Sequence, residues 1–254
     1  MIRLIMHGCN GKMGQVISNI VAQDPEAELV AGIDTRDDGH NPYPVFTDIG
    51  ACDVEADALI DFSAAPAIDG LLDYCMERAL PCVLCTTGLS AQQLAKVEEA
   101  SGKVAILKSA NMSLGINLLL KLLKEAAGVL APAGYDIEIV EKHHNQKVDA
   151  PSGTALALAD SINEECGHIY EYVYDRSQRR EKREKKEIGI SAVRGGTIVG
   201  EHDVLFAGED EVITFSHTAA SKAVFAKGAV QAGKFLAGKP AGLYNMSHVI
   251  EAQM

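Results

Sequence analysis

Three things are scarce in this 254-residue chain, and each scarcity removes a class of function. No apolar run is long enough to cross a bilayer. The opening MIRLIMHGCNGKMG breaks its short apolar stretch at glycine, where a secretory signal needs a longer apolar core and a small-residue cleavage site. The expectation is a soluble, unprocessed protein with no membrane partner. Disulfide-framework spacing is missing as well. Cys9, Cys52, Cys75, Cys82, Cys85 and Cys166 are scattered, mostly inside apolar stretches where a thiol behaves as a small hydrophobe. That pattern favours a reducing compartment, so the expected location is cytoplasmic. Cys82 and Cys85 form a C-x-x-C within PCVLCTTG, but no second cysteine pair accompanies them and no metal is expected there. Positive charge is the third deficit: 23 Lys and Arg stand against 35 Asp and Glu, a formal net charge of -12. Phosphate binding needs clustered, uncompensated cations, so no nucleic-acid partner is expected. The one basic cluster, RSQRREKREKKE from Arg176 to Glu187, is interrupted by glutamates and reads as a solvated loop or frayed helix.

What is present is a rhythm of alternating elements. Arg3 to His7 is strand-like, Lys12 to Gln23 helix-like and Glu28 to Asp34 strand-like, which makes a βαβ unit. The alternation continues with Ala58 to Phe62, a helix after Pro66, Cys82 to Cys85, a helix from Ser90 to Ser101, and Val104 to Lys108. Apolar, β-branched strands in such an order imply a parallel sheet covered by helices on both faces. After Asn111 the character changes. Leu114 to Leu130 carries a long apolar helical face, and Tyr135 to His144 is strand-like. Glu187 to Val193, Ile198 to Phe206 and Glu211 to Ser216 then read as three strands with no helix between them, implying a largely antiparallel sheet. The closing helical segment, Ser221 to Leu236, is rich in small residues and could complete either unit. Neither an internal repeat nor a Pro-rich or Ser-rich linker marks a boundary.

Two segments carry chemistry. In GCNGKMG, Gly8, Gly11 and Gly14 fall where the first strand turns into the first helix, a place where backbone amides can hold a pyrophosphate. The spacing is G-x-x-G-x-x-G rather than the usual G-x-G-x-x-G, and the strand before and helix after give it weight. Asp34 ends the second strand about twenty residues further on, where an acid accepts hydrogen bonds from an adenosine ribose. Lys12 and Arg36 could pair with a ribose 2'-phosphate while Asp34 would repel one, so use of both NADH and NADPH is expected. In EKHHNQKVDAPSGTALALAD, His143, His144 and Lys147 precede Pro151, Ser152, Gly153 and Thr154 at the start of an apolar-periodic helix. Ser152 or Thr154 can cap that helix, whose first amides favour an anion. A cationic loop beside a helix start is a receptor for a small carboxylate, and His or Lys supplies a proton near neutral pH.

Taken in order, GCNGKMG, CTTG from Cys85 to Gly88, SANMSLGIN from Ser109 to Asn117, EKHHNQKVDAPSGTA, IVGEHDVLFAG and KGAVQAGKFLAGKPAGLYNM resemble the bacterial dihydrodipicolinate reductase family across nearly the whole chain. The HH-x-x-K-x-D-x-P-S-G-T-A stretch is the specific part. The resemblance implies an α/β protein: a Rossmann-like dinucleotide-binding domain over 1–112 and 222–254, and a central α+β domain over 113–221 with a mixed, largely antiparallel sheet. That central domain would bind substrate and assemble a homotetramer. The implied substrate is a small cyclic imine dicarboxylate. Hydroxylated tetrahydrodipicolinate loses water, accepts a hydride from NADH or NADPH at C4 and a proton at C3, on the way to diaminopimelate and lysine. His143 would be a proton donor or acceptor and Lys147 the proton donor, with His144, Gly153 and Thr154 holding the carboxylates beside Ser152. Gly8, Cys9, Asn10, Gly11, Lys12, Met13 and Asp34, then Cys85, Thr86 and Thr87, then Ser109, Ala110, Asn111 and Met112 would line the cofactor. Cys85 stands where the family often has glycine, Ser109 where alanine is frequent, and Thr35 where some members have an arginine for the NADPH phosphate. Two alternatives remain: another two-domain nicotinamide oxidoreductase, which gives no reason for HHNQK followed by PSGT, and a non-catalytic NAD(H)-sensing oligomer.

Overall fold

The computed structural model describes residues 1–253. In chain order the elements are β1 (Ile2–His7), α1 (Lys12–Val21), β2 (Ala27–Ile33), β3 (Val45–Phe46), β4 (Ala58–Asp61), α2 (Ile68–Arg78), β5 (Cys82–Leu84), α3 (Ala91–Ser101) and β6 (Ala105–Lys108). There follow α4 (Leu114–Leu130), β7 (Asp136–His143), α5 (Gly153–Glu165), β8 (Glu171–Val173), β9 (Glu187–Arg194), β10 (Gly200–Ala207) and β11 (Val212–Ala219). The chain closes with α6 (Ala223–Leu236), β12 (Gly242–Tyr244) and α7 (Met246–Glu251). It divides into two compact units, Met1–Leu114 with Ala223–Met254, and Gly115–Lys222.

The first unit holds a seven-stranded sheet in the order β12-β6-β5-β4-β1-β2-β3, with every pairing parallel. Its central strands are apolar on both faces because helices cover both. Leu4, Met6 and Ile60 pack with α1 and α6 on one side, while Ile5, Leu59 and Ile106 pack with α2 and α3 on the other. The direction of winding reverses between β1 and β4, which opens a crevice at the carboxyl ends of those strands. The small residues of α6 serve close approach: a Cβ on Gly228 would stand 1.7 Å from the Met112 carbonyl oxygen. The segment that the residue pattern left open thus joins the parallel-sheet unit.

In the second unit the sheet order is β11-β10-β7-β9-β8. Strand β7 alternates strictly, so Ile137 and Ile139 face a core made with Leu123 of α4 and with Ala155, Leu158 and Ile162 of α5. Glu141 and His143 continue that inward row. The expectation of a largely antiparallel sheet is corrected here. The β11–β10 and β10–β7 pairs are antiparallel, but β7–β9 and β9–β8 are parallel, so the sheet is mixed in equal parts. The reason is topological: β9 and β10 are consecutive in sequence, yet β7 lies between them, and the α5 crossover returns the chain parallel to β7.

The basic cluster is a loop with mostly exposed side chains, one of its two expected forms, and its arginines tie it down. Arg176 and Arg179 pair with Glu187, while Arg183 reaches Asp136 at 2.8 Å and Glu138 at 2.9 Å. The run is therefore a solvated loop that three of its arginines pin, as a strap, to β7 and β9. Among the described residues no helix is long and apolar enough to cross a membrane.

Candidate active site

In the parallel-sheet unit the site begins where β1 ends. Gly8 takes φ +83°, and a Cβ there would stand 2.6 Å from the Phe62 carbonyl oxygen, so strain and overlap both demand glycine. Helix α1 then starts behind Gly11, which offers no side-chain cap and leaves the first-turn amides open to an anion. The Asp34 carboxylate, just past β2, accepts the amides of Asn10 and Thr35, each at 2.8 Å, and so ties the glycine loop to the neighbouring strand end. A cavity of about 750 Å³ is walled by Gly8, Asn10, Gly11, Asp34, Arg36 and Phe62, among others. A smaller one of about 260 Å³ is walled by Cys85, Thr86, Thr87, Ser109 and Ala110 with Lys108.

A residue that the pattern did not single out organises this end of the sheet. Asp61, the last residue of β4, is fully buried and accepts Thr86 Oγ1 at 2.7 Å and the Ser63 amide at 3.2 Å. His7 Nδ1 lies 2.8 Å from its Oδ1 without the aim of a hydrogen bond. Burial pushes the Asp61 carboxyl up, but contacts with His7, Ser63 and Thr86 outweigh it and hold the group below the usual carboxylate range. Three expected cofactor residues have side chains elsewhere. Cys9 and Met112 are buried in the core and Met13 packs against it. Burial, with Asp34 adding to it, pushes the Cys9 thiol up to about 11, and burial also raises that of Cys85.

In the mixed-sheet unit a second helix start follows β7. Ser152 caps α5, its Oγ accepting the Ala155 amide at 3.1 Å. Behind it lies Glu141, fully buried. Its Oε1 accepts the Ser152 amide at 2.9 Å and Arg194 Nη2 at 2.7 Å, and its Oε2 accepts Arg194 Nη1 at 2.8 Å and lies 2.6 Å from His143 Nδ1. Burial raises the Glu141 carboxyl, yet Arg194, His143 and the Ser152 amide together hold it below its ordinary value. The His143 ring meets His202 edge-on at 5.2 Å, and His202 Nε2 lies 3.0 Å from Ser152 Oγ. Burial, helped by His143, drives His202 down to about 4, so this imidazole is neutral at physiological pH.

Of the expected residues on this segment, His143 is 8% exposed and His144 half-buried. Lys147 Nζ lies 2.8 and 2.9 Å from the two Asp149 oxygens, and Gly153 and Thr154 open the first turn of α5. Glu141, Arg194 and His202 were missed. Only Glu141 carried a local signal, an acid on the inward period of IEIVEKH. Among the described residues no group of three His, Cys, Asp or Glu side chains is placed to hold a metal ion. The chemistry on offer is anion binding at two helix starts, with a caged histidine and a lysine beside the second.

Comparison with known proteins agrees with this arrangement. The family model described as dihydrodipicolinate reductase, N-terminus, matches residues 2–112, and the one described as dihydrodipicolinate reductase, C-terminus, matches 115–250. The 4-hydroxy-tetrahydrodipicolinate reductase of Caldanaerobacter subterraneus subsp. tengcongensis is 55% identical over 99% of this chain and 99% of that protein. The protein of the same name from Clostridium novyi is 50% identical over 100% of both. Among solved structures, a dipicolinate-bound dihydrodipicolinate reductase from Paenisporosarcina sp. TG-14 is similar with a TM-score of 0.80 at 26% identity, over 96% of this chain and 97% of that one. On the family models and full-length relatives together, this chain belongs to the dihydrodipicolinate reductase family.

Proposed function

We propose that this protein reduces 4-hydroxy-tetrahydrodipicolinate to tetrahydrodipicolinate with NADH or NADPH, a step of diaminopimelate and lysine biosynthesis. The observation that carries the reading is the start of α5, where an anion-binding helix end, a lysine and a buried-carboxylate-bound histidine converge within one segment. The relative whose structure holds dipicolinate supports a pyridine-like dicarboxylate as the class of ligand.

Residues 1–112 and 222–254 are assigned to dinucleotide binding. The group fits on structural grounds: Gly8 leaves no Cβ over the crevice, the uncapped α1 start presents amides for a pyrophosphate, and Asp34 retains lone pairs for a ribose diol. When bound, the reduced nicotinamide supplies the hydride. Residues 113–221 are assigned to substrate binding and to assembly, as a homotetramer. Exposed apolar Val193 on β9 and Val212 on β11 suit a surface between copies. Free cysteines and the absence of an apolar spanning helix among the described residues fit a cytoplasmic enzyme.

The protein's own groups divide the remaining work. Gly153 and Thr154 present amides, and His144 a ring, to the substrate carboxylates. Lys147 donates a proton to the reduced ring. His143, with Nδ1 held by Glu141, keeps Nε2 as the nitrogen through which a proton is exchanged. The test is to mix the protein with NADH or NADPH and freshly generated 4-hydroxy-tetrahydrodipicolinate and follow the absorbance of the reduced cofactor. Substrate-dependent oxidation is expected. Tight cofactor binding without turnover would overturn the proposal in favour of a sensor.

A further inference from the structure

We propose that Arg194 is a positioning residue for both proton-transfer groups: through Glu141 it orients His143 and the start of α5, and through the Asp149 backbone it orients Lys147. The inference rests on the proposed reduction and adds to it a residue outside the loop that carries the chemistry.

Arg194 ends β9 directly opposite His143 on β7, so the strand register brings together residues 51 positions apart. Its two terminal nitrogens grip both oxygens of Glu141 at 2.7 and 2.8 Å, the fork geometry that a planar guanidinium matches and an ammonium does not. Nη2 also donates to the Asp149 carbonyl at 2.7 Å, and Nη1 to the Val193 carbonyl at 2.8 Å. With these arms committed, Nε is buried and has no partner among the described residues, so the side chain is oriented for these acceptors at its own expense.

Glu141 passes the constraint on in two directions. One oxygen holds the Ser152 amide, which sets where the capped start of α5 lies, and the other holds the Nδ1 edge of His143. Asp149 passes it on in a third, because the residue whose carbonyl sits on Arg194 is the one whose carboxylate holds Lys147. The turn after Arg194 completes the grip: the Gly195 amide donates to the His143 carbonyl at 2.9 Å, and the Asn145 amide to the Gly196 carbonyl at 3.2 Å. The loop bearing His144 and Lys147 is thereby fastened at both ends to β9 and its turn. Arg194 has its charge neutralised by Glu141, so its effect is transmitted through these groups and not by contact with substrate.

The test uses Arg194→Lys and Arg194→Ala with three measurements: NADH affinity, affinity for pyridine-2,6-dicarboxylate by calorimetry, and turnover. NADH affinity is expected to hold. Turnover should fall about a hundredfold in Arg194→Ala, the size that a misplacement near 1 Å brings, and dicarboxylate binding should weaken with it. Arg194→Lys should recover little, since a point charge cannot replace the fork. Millimolar guanidinium should restore part of the Arg194→Ala turnover, whereas it would only worsen a loss caused by instability. Unchanged turnover and dicarboxylate affinity in both variants overturns the proposal, and so does a loss that guanidinium does not relieve. If the unaltered protein shows no turnover, the reduction itself fails, while dicarboxylate affinity and its rescue by guanidinium still decide the role of Arg194.

Discussion

The two helix starts share one plan and differ in how it is executed. Each follows a strand, each lies near a fully buried carboxylate, Asp61 or Glu141, and each carboxylate has a histidine Nδ1 within 2.8 Å. At α1 the chain is bare: glycines, no side-chain cap, and a cavity of about 750 Å³. At α5 it is crowded: a serine cap, a bidentate arginine, a second buried histidine and a lysine paired with Asp149. A large pyrophosphate ligand needs close approach of backbone, which side chains would block. A small acid needs side chains brought to it, and these must be held by others.

The largest expected effect sharpens that contrast with two glycines. Gly8→Ala meets a positive φ and an overlap with the Phe62 carbonyl, and should cost about 3 kcal/mol of stability and abolish NADH binding. Gly153→Ala has nothing within 4 Å of the added Cβ and should leave the melting temperature unchanged, although substrate affinity should suffer. Equal melting temperatures for the two variants would remove the distinction between a glycine required by the fold and one required by a ligand. Next in size, Lys147→Ala should lower turnover roughly a hundredfold with NADH affinity retained, the effect of losing a general acid. Wild-type turnover in that variant would leave the crowded mouth without its proposed acid.

The same contrast explains what could be read from the sequence. The glycine loop and the PSGT helix start were legible because turn geometry and capping are local, and α4 appears over Leu114–Leu130 as its periodicity predicts. Strands β3, β8 and β12 are two or three residues long, too short to show a period. Without β8 the residue pattern shows no α5 crossover, and three consecutive strands read as neighbours. The positioning groups were illegible for a related reason. Arg194 and His202 become partners of the α5 start only through the registers β7–β9 and β7–β10. The arginines of the basic strap were likewise hidden, since Asp136 and Glu138 lie more than thirty positions away.

A smaller effect probes the crowded mouth alone. His202 has a folded value near 4 against 6.5 for a free histidine, so the unfolded chain binds the proton more readily. Its contribution to stability is complete above the unfolded value and is lost as pH falls towards the folded one. Between about pH 7 and about pH 5 the loss should be about 2 kcal/mol. His202→Gln should flatten that slope in denaturant titrations run across the range. An unchanged slope would mean that His202 is not held neutral against Ser152, and the crowding would lose its electrostatic part.

The smallest effect belongs to the bare mouth and concerns which cofactor it prefers. Arg36 is the cation at the rim of the cavity, but its side chain is 73% exposed and its Nε lies 2.9 Å from Asp38. An exposed, already paired charge contributes only about 0.2–1 kcal/mol. Arg36→Ala should therefore weaken NADPH about two- to fivefold, leave NADH unaffected, and lose even that difference in high salt, where an exposed charge is screened. The contrast with Arg194 is one of solvent: the same guanidinium, 20% exposed and held against a buried carboxylate, governs geometry, and 73% exposed at a rim it only biases a choice. Were Arg36→Ala to reduce NADPH affinity a hundredfold in a manner insensitive to salt, the bare mouth would contain a buried phosphate site, and its description as backbone-built would need to change.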